Sequence, residues 1–291
     1  MLATVVQAET LTVRLIMSDS SPPYQQFAAM FNKALAASKV DVLVTESLDF
    51  NGPNTDLIVA VGMKATKLAA TQTGTPVLAV MIPKMGYEEL LAQIPQKKPT
   101  RTISAIYLDQ PWDRQLDFLQ VALPKRHRIG LLYSSDSRFD IARLRQEIAN
   151  RDGSLVAQPV RSADRLFSSL ENVLDDSDVL LAIPDSAIYN SSNIRNILLT
   201  SYRHGIPLIG LSQSYVSAGA LCAIFSTPEQ LAEQASSAAL LFARTRQLPG
   251  SQYPVAFTIA VNQQVARSMA IELPSPDAIR SQMDKSKEEG R

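Results

Sequence analysis

Short apolar runs alternate with amphipathic stretches along the chain, the pattern of βαβ units whose mainly parallel sheets are buried on both faces. Residues 11–17 predict a first strand. Residues 24–37 predict a helix, because Phe27, Met30, Phe31, Ala34 and Leu35 recur at the spacing of one buried face. Strands follow at 40–44, 57–61 and 77–81, with a short helix at 64–71 and Gly74-Thr75-Pro76 introducing the last strand. After a looser stretch containing Pro95, Lys97, Lys98 and Pro99 the pattern restarts, with strand 103–108, helix 112–123 stopped by Pro124, strand 129–133 and helix 141–150.

The restart repeats particular features. Arg14-Leu15-Ile16-Met17-Ser18-Asp19-Ser20 ahead of a helix is matched by Ile129-Gly130-Leu131-Leu132-Tyr133-Ser134-Ser135-Asp136-Ser137 ahead of another. Asp56-Leu57-Ile58-Val59-Ala60-Val61-Gly62, a helix and Thr75-Pro76-Val77 are echoed by Asp178-Val179-Leu180-Leu181-Ala182-Ile183-Pro184, a helix and Ile206-Pro207-Leu208, with a longer connection around residues 189–196. Two matches in the same order predict one architecture used twice. The expected fold class is α/β, as two doubly wound Rossmann-like lobes, with a single large open sheet as the alternative.

Length agrees, since 291 residues exceed the usual size of one domain. Lys and Arg number 28 against 28 Asp and Glu, so no basic excess points to nucleic acid as a partner. No apolar run is long enough to span a bilayer, and direct membrane insertion is not expected. The single cysteine, Cys222, excludes an internal disulfide and a Cys-based zinc site, and its apolar neighbours predict a buried, inert thiol. Val6-Gln7-Ala8 before Glu9 has the spacing of a signal-peptidase site, which reads either as a signal-peptide remnant or as a plain N-terminal segment.

In open parallel sheets ligands bind at the carboxyl ends of the strands. Here those ends carry Ser18, Asp19, Ser20, Gly62, Lys64 and Met81 in the first half, with Tyr24 just beyond, and Ser134, Asp185, Ser212 and Tyr215 in the second. Such a lining suits a neutral, zwitterionic or partly apolar small molecule held by hydrogen bonds. Each serine taken singly is better explained as a helix N-cap. Asp185 with nearby Tyr189 is the pair best suited to an ammonium or hydroxyl group. Where the chain should pass between halves, Asp109, Gln110 and Arg114 surround the only tryptophan, Trp112, and read either as a packed hinge or as ligand contacts.

Signatures of catalysis are missing: no Gly-x-Gly-x-x-Gly follows the first strand, and neither a phosphate-binding loop nor a Gly-x-Ser-x-Gly elbow occurs. His127 lies in a basic run and His204 precedes Gly205 at an expected helix end, both surface positions. No catalytic residue, cofactor or metal is expected.

Ser177-Asp178-Val179-Leu180-Leu181-Ala182-Ile183-Pro184-Asp185, Gly205-Ile206-Pro207-Leu208-Ile209-Gly210, Tyr215-Val216-Ser217-Ala218-Gly219-Ala220 and Val261-Asn262 with its following helix resemble recurring blocks of the ABC-transporter substrate-binding family whose better-known members bind tryptophan and other aromatic amino acids. The loop from Ser18 to Tyr24 differs from the Gly- and His-containing loop of the amino-acid-binding members, so the ligand stays unnamed. The resemblance implies a type I periplasmic-binding fold with crossovers near Leu108, Phe225 and Pro254. That gives a first lobe of residues 10–108 plus 226–253, a second of 109–225 plus 254–275, and a solvated polar tail at 276–291. It implies an exported, periplasmic, monomeric solute-binding protein that closes on its ligand and serves a membrane permease. The alternatives are a periplasmic sensor or accessory subunit reporting to a membrane receptor, and an enzyme acting in the cleft.

Overall fold

The structure, a computed structural model, describes residues 10–38, 40–47, 55–72, 74–94, 102–135 and 139–289, with the backbone alone for 72 and 286–289. The spacing at Val6-Gln7-Ala8, the stretch with Pro95, Lys97, Lys98 and Pro99, and Asp136 and Ser137 lie outside these residues. The chain divides into two compact units, Met1–Leu108 with Ser226–Ala256 and Asp109–Phe225 with Phe257–Arg291, and so crosses between them three times.

Up to the first crossing the elements are β1 (Leu11–Met17), α1 (Pro22–Ala36), β2 (Val42–Ser47), β3 (Leu57–Val61), α2 (Met63–Gln72), β4 (Val77–Ile82), α3 (Lys84–Gln93) and β5 (Ile103–Tyr107). The second unit continues with α4 (Trp112–Ala122), β6 (Arg128–Ser134), α5 (Ile141–Ala149), β7 (Ser154–Val160), a 3₁₀ turn at Ala163–Arg165, α6 (Leu166–Asp176), β8 (Val179–Leu181), α7 (Ile194–Arg203), β9 (Leu208–Gly210), α8 (Gln213–Ala218) and β10 (Cys222–Phe225). Helix α9 (Pro228–Thr245) returns to the first unit, and β11 (Thr258–Val261), α10 (Gln263–Ser268) and α11 (Pro276–Glu289) complete the second.

In the first unit the sheet order is β2-β1-β3-β4-β5, all parallel. The period-2 alternation of its strands sorts residues onto two faces. Leu11, Val13 and Leu15 of β1, Val59 and Val61 of β3 and Leu78 and Val80 of β4 pack with Phe27, Phe31 and Leu35 of α1 and with Leu231, Ala235 and Phe242 of α9. Ile16, Ile58, Ala60 and Val77 turn the other way, onto Ala65 and Ala69 of α2. Helix α9 can start where it does because Thr227 and Gln230 form a reciprocal capping box with Pro228 in the first turn, and it ends at a left-handed Arg246.

The second unit repeats the plan in the order β7-β6-β8-β9-β10-β11, with β11 antiparallel to β10. Strand β6 lies between β7 and β8 as β1 lies between β2 and β3. Cys222 is fully buried in β10, and burial pushes its thiol up.

Strand β2 runs later than the expected 40–44, β7 and α6 lie where no element is expected, and two further segments differ in kind. The looser stretch after β4 contains a helix, α3, whose buried Tyr87 and Leu90 supply its inner face. The tail is not a solvated extension: α11 is helical, and Ile279 and Met283, one turn apart, are buried in the core of the second unit. Two apolar anchors at i and i+4 suffice to dock a helix that is otherwise polar.

Candidate functional site

Each unit presents its own set of groups at the carboxyl ends of its strands. In the first unit, β1 ends at Ser18, whose N–H and hydroxyl both donate to Val61 O, at 3.0 and 2.9 Å. The same hydroxyl accepts from Ala65 N at 3.0 Å, so one serine ties β1 to β3 and to the start of α2. Gly62 follows Val61 with φ +86°. A Cβ there would lie 2.5 Å from Ser18 Oγ and closer still to Tyr24 Oη, so only glycine lets the three meet. Tyr24 is half-buried, and burial first, then the Asp19 charge, pushes its phenol up.

Asp19 is exposed and accepts from Ser21 N at 2.8 Å. Its hydrogen bonds with Ser21, aided by the Lys64 charge, hold its carboxyl below the usual range. Lys64 and Ser20 are exposed at the same edge. At the end of β4 the pairing with β5 shifts register, and Met81 adopts φ +57°, a left-handed conformation uncommon for a bulky side chain.

In the second unit Ser134 occupies the place of Ser18, but its partner is a side chain. Ser134 N donates to Asp185 Oδ2 at 2.7 Å and the Ser134 hydroxyl donates to the same oxygen, while Asp185 Oδ1 accepts from Ala187 N at 3.1 Å. Asp185 is buried, and both of its oxygens serve the chain itself by joining the end of β6 to the loop after β8. Tyr189, expected beside it as a ligand contact, lies in the core; its hydroxyl makes no well-formed hydrogen bond among the described residues, although the Leu132 backbone lies close by. Burial pushes that phenol up.

Tyr215 is the half-buried phenol at this end, and it donates to Tyr189 O at 3.1 Å. Gly210 admits it, since a Cβ there would meet Tyr215 Cβ at 2.5 Å. Ser212 is the N-cap residue of α8 without a side-chain capping bond.

The residues expected near the crossing come together in the second unit. Gln110 is buried and accepts from Arg114 Nη1 at 2.7 Å and, through its carbonyl, from Gln115 Nε2 at 2.9 Å. Burial first, then the Arg280 charge, pulls the Arg114 guanidinium down. Asp109 is half-buried beside them in sequence.

Two groups of aromatic rings form that the sequence pattern does not bring together, although Trp112 itself stands out in it. Trp112, at the start of α4, meets Phe139 edge-on at 5.5 Å, and Phe139 meets Tyr133, next to Ser134 in β6, at 6.4 Å. All three rings are partly exposed. In the first unit Tyr107, the last residue of β5, meets Tyr87 at 5.8 Å and Tyr253 at 5.3 Å, with Lys84 Nζ 5.4 Å from the Tyr253 ring. Burial alone would lower the Lys84 ammonium, but its bond to Tyr253 and the charge of Glu88 outweigh it and raise the ammonium. An aromatic residue at or one before the last position of a strand, Tyr107 in β5 and Tyr133 in β6, was the legible signal in both places.

Fixed hydroxyls, buried caps and partly exposed rings can bind and orient a small molecule. Among the described residues no group of three or more His, Cys, Asp or Glu could hold a metal ion.

No curated protein matches the chain. Among solved structures it is similar to a conserved domain protein from Vibrio cholerae O1 biovar El Tor, with TM-score 0.66 at 17% identity over 94% of this chain and 98% of that one. It is similar to an ABC domain from Streptococcus pneumoniae in complex with L-Trp, with TM-score 0.65 at 15% identity over 92% and 97%. A ligand-free, open substrate-binding protein with adhesive properties from Clostridium difficile gives TM-score 0.66 at 16% identity over 91% and 97%. At these identities the likeness is one of fold. The sequence profile described as ABC transporter substrate binding protein matches residues 25–275, most of the chain, and the protein therefore belongs to the ABC transporter substrate-binding family.

Proposed function

We propose that the protein is an exported solute-binding subunit that captures a small molecule at the carboxyl ends of its strands and delivers it to an ABC-type importer. The observation that carries this reading is that, in the second unit, the partly exposed Trp112, Phe139 and Tyr133 rings meet one another, and the residue after Tyr133 in β6 begins the Ser134–Asp185 network. An apolar surface beside a few polar groups locked in place is the composition of a small-molecule site. Asp185 acts as a support, holding the β6 end and the 185–189 loop so that Ser134, Tyr133 and Tyr215 keep fixed positions.

The ligand is neutral, zwitterionic or partly apolar, and aromatic amino acids come first among the compounds to test because the Streptococcus pneumoniae relative holds L-Trp. Binding is the whole of this protein's part; a membrane permease and its ATPase supply energy and translocation. The protein acts as a monomer in the periplasm, the usual location for the family.

A thermal-shift panel of amino acids, monosaccharides and nucleosides tests the reading. A ligand present at about a hundred times its Kd adds roughly 2.7 kcal/mol to stability, a readily measured rise in Tm. Cells lacking the protein should lose uptake of the same compound. A panel without any stabilising compound, or uptake that persists unchanged, would count against it.

A further inference from the structure

The first and third crossings between the units, at Leu108/Asp109 and Ala256/Phe257, are fastened on both of their sides. In the first unit, Tyr107 N donates to Gln252 O at 3.0 Å and Gln252 N to Ala105 O at 2.8 Å, while the Tyr107 and Tyr253 rings meet at 5.3 Å. Gln234 of α9 holds the next residues, donating to Tyr253 O at 3.1 Å and accepting from Val255 N at 2.9 Å. Ser226, the first residue after the second crossing, donates through its hydroxyl to Ala256 O at 2.6 Å. The first-unit ends of these segments are thus pinned up to the crossing itself.

In the second unit the pin is Phe257. Its ring lies 4.8 Å from the Arg114 guanidinium and 4.1 Å from that of Arg280, and Arg280 Nη2 donates to Phe257 O at 2.6 Å. Arg114 in turn holds Gln110, so the residues just beyond the first and third crossings are linked through one aromatic ring. Arg280 belongs to α11, which Ile279 and Met283 anchor in the core. Like charges at one ring oppose each other, yet each guanidinium gains the ring's electron-rich face and an oxygen acceptor.

We infer that Arg280 is a positioning residue: through Phe257, α11 clamps the second-unit ends of the first and third crossings and confines bending between the units to the crossings themselves. The clamp does not depend on any ligand. Its use rests on the solute-binding reading, in which closure about a few stiffly bordered residues lowers the cost of ordering the bound state.

Spin labels at Leu43→Cys in the first unit and Tyr202→Cys in the second, both exposed positions with the native Cys222 buried, report the spread of distances between units by pulsed dipolar spectroscopy. Without added ligand, Arg280→Gln should roughly double the width of that distribution. Hydrogen exchange in peptides covering residues 254–262 should speed up about tenfold, with exchange in β1 and β3 unchanged. Phe257→Leu, which keeps apolar bulk, should do the same and serves if Arg280→Gln fails to fold. A folded variant with unchanged width and unchanged exchange overturns the clamp and leaves the solute-binding reading standing; a thermal-shift panel without a hit overturns that reading and leaves the clamp standing.

Discussion

Asp178 does for Arg128 what Asp56 does for Thr12. Asp56 N donates to Thr12 O at 2.9 Å, and its carboxylate accepts from Thr12 N and Thr12 Oγ1, both at 2.8 Å. Asp178 N donates to Arg128 O at 2.7 Å, and its carboxylate accepts from Arg128 N at 3.0 Å and from the Arg128 guanidinium at 2.8 Å. One carboxylate per unit therefore sets the starts of two neighbouring strands, β1 and β3 in the first unit and β6 and β8 in the second. The two units share a registration device at one end of their sheets while differing, at Ser18 and Ser134, at the other.

Burial alone would raise both carboxyls, but the bonds from Thr12 and the Arg246 charge at Asp56, and those from Arg128 at Asp178, outweigh it and hold both below the usual range. A depressed folded-state carboxyl contributes stability that is complete above its unfolded value, near ~4, and is lost as pH falls through the folded value. Stability should therefore be flat on this account from pH 7 to about pH 5 and fall below that. Asp178→Asn should cost about 1–2 kcal/mol at pH 7 and flatten the acid limb, as urea unfolding across pH would show.

Gly62→Ala should be among the most damaging small changes in the first unit. It combines φ +86° with a Cβ that collides with Ser18 Oγ and Tyr24 Oη, and a loss of ~1–3 kcal/mol is expected. Gly74→Ala, at a position where a Cβ meets nothing within 4 Å, is the control and should be nearly silent in the same melts.

Ser134→Ala should destabilise the second unit by about 1–3 kcal/mol, because it takes the hydroxyl donor from a buried carboxylate whose other partners among the described residues are the backbone N–H groups of Ser134 and Ala187. If Asp185 is a support for the site, Asp185→Asn should lower ligand affinity and thermal stability together. Paired titration and melting curves would separate this from a direct contact, which would lower affinity alone.

Ile279→Ala should cost ~2–5 kcal/mol if α11 is part of the core of the second unit, as its complete burial implies. A solvated tail would tolerate the change, so chemical denaturation of this one variant decides between the two descriptions.

The strands were legible because a sheet buried on both faces writes its length directly into the chain: the runs at 11–17 and 57–61 coincide with β1 and β3. Helix α3 was not, since Pro83 and Gly86 break its pattern and only Tyr87 and Leu90 are buried on it. The segment carrying Ile279 and Met283 reads as a solvated tail because its composition is mostly polar and charged, and the surface that α4 and β11 offer to α11 is not written in it. At the site, sequence placed Ser134 and Asp185 at strand ends but carried no sign that they bind each other. The rings of Trp112, Tyr133 and Phe139 meet through the folding of one unit, a relation that no local spacing encodes.

Isothermal titration of the compounds that stabilise the protein, into wild type and Trp112→Ala, tests the central claim most directly. We predict a single-site isotherm for at least one small molecule and an affinity about tenfold or more weaker in Trp112→Ala, the loss expected when a buried aromatic contact of ~1.4 kcal/mol or more is removed. Equal affinity in the two proteins would place the ligand away from the strand ends, and the absence of any binding isotherm would contradict the solute-binding account itself.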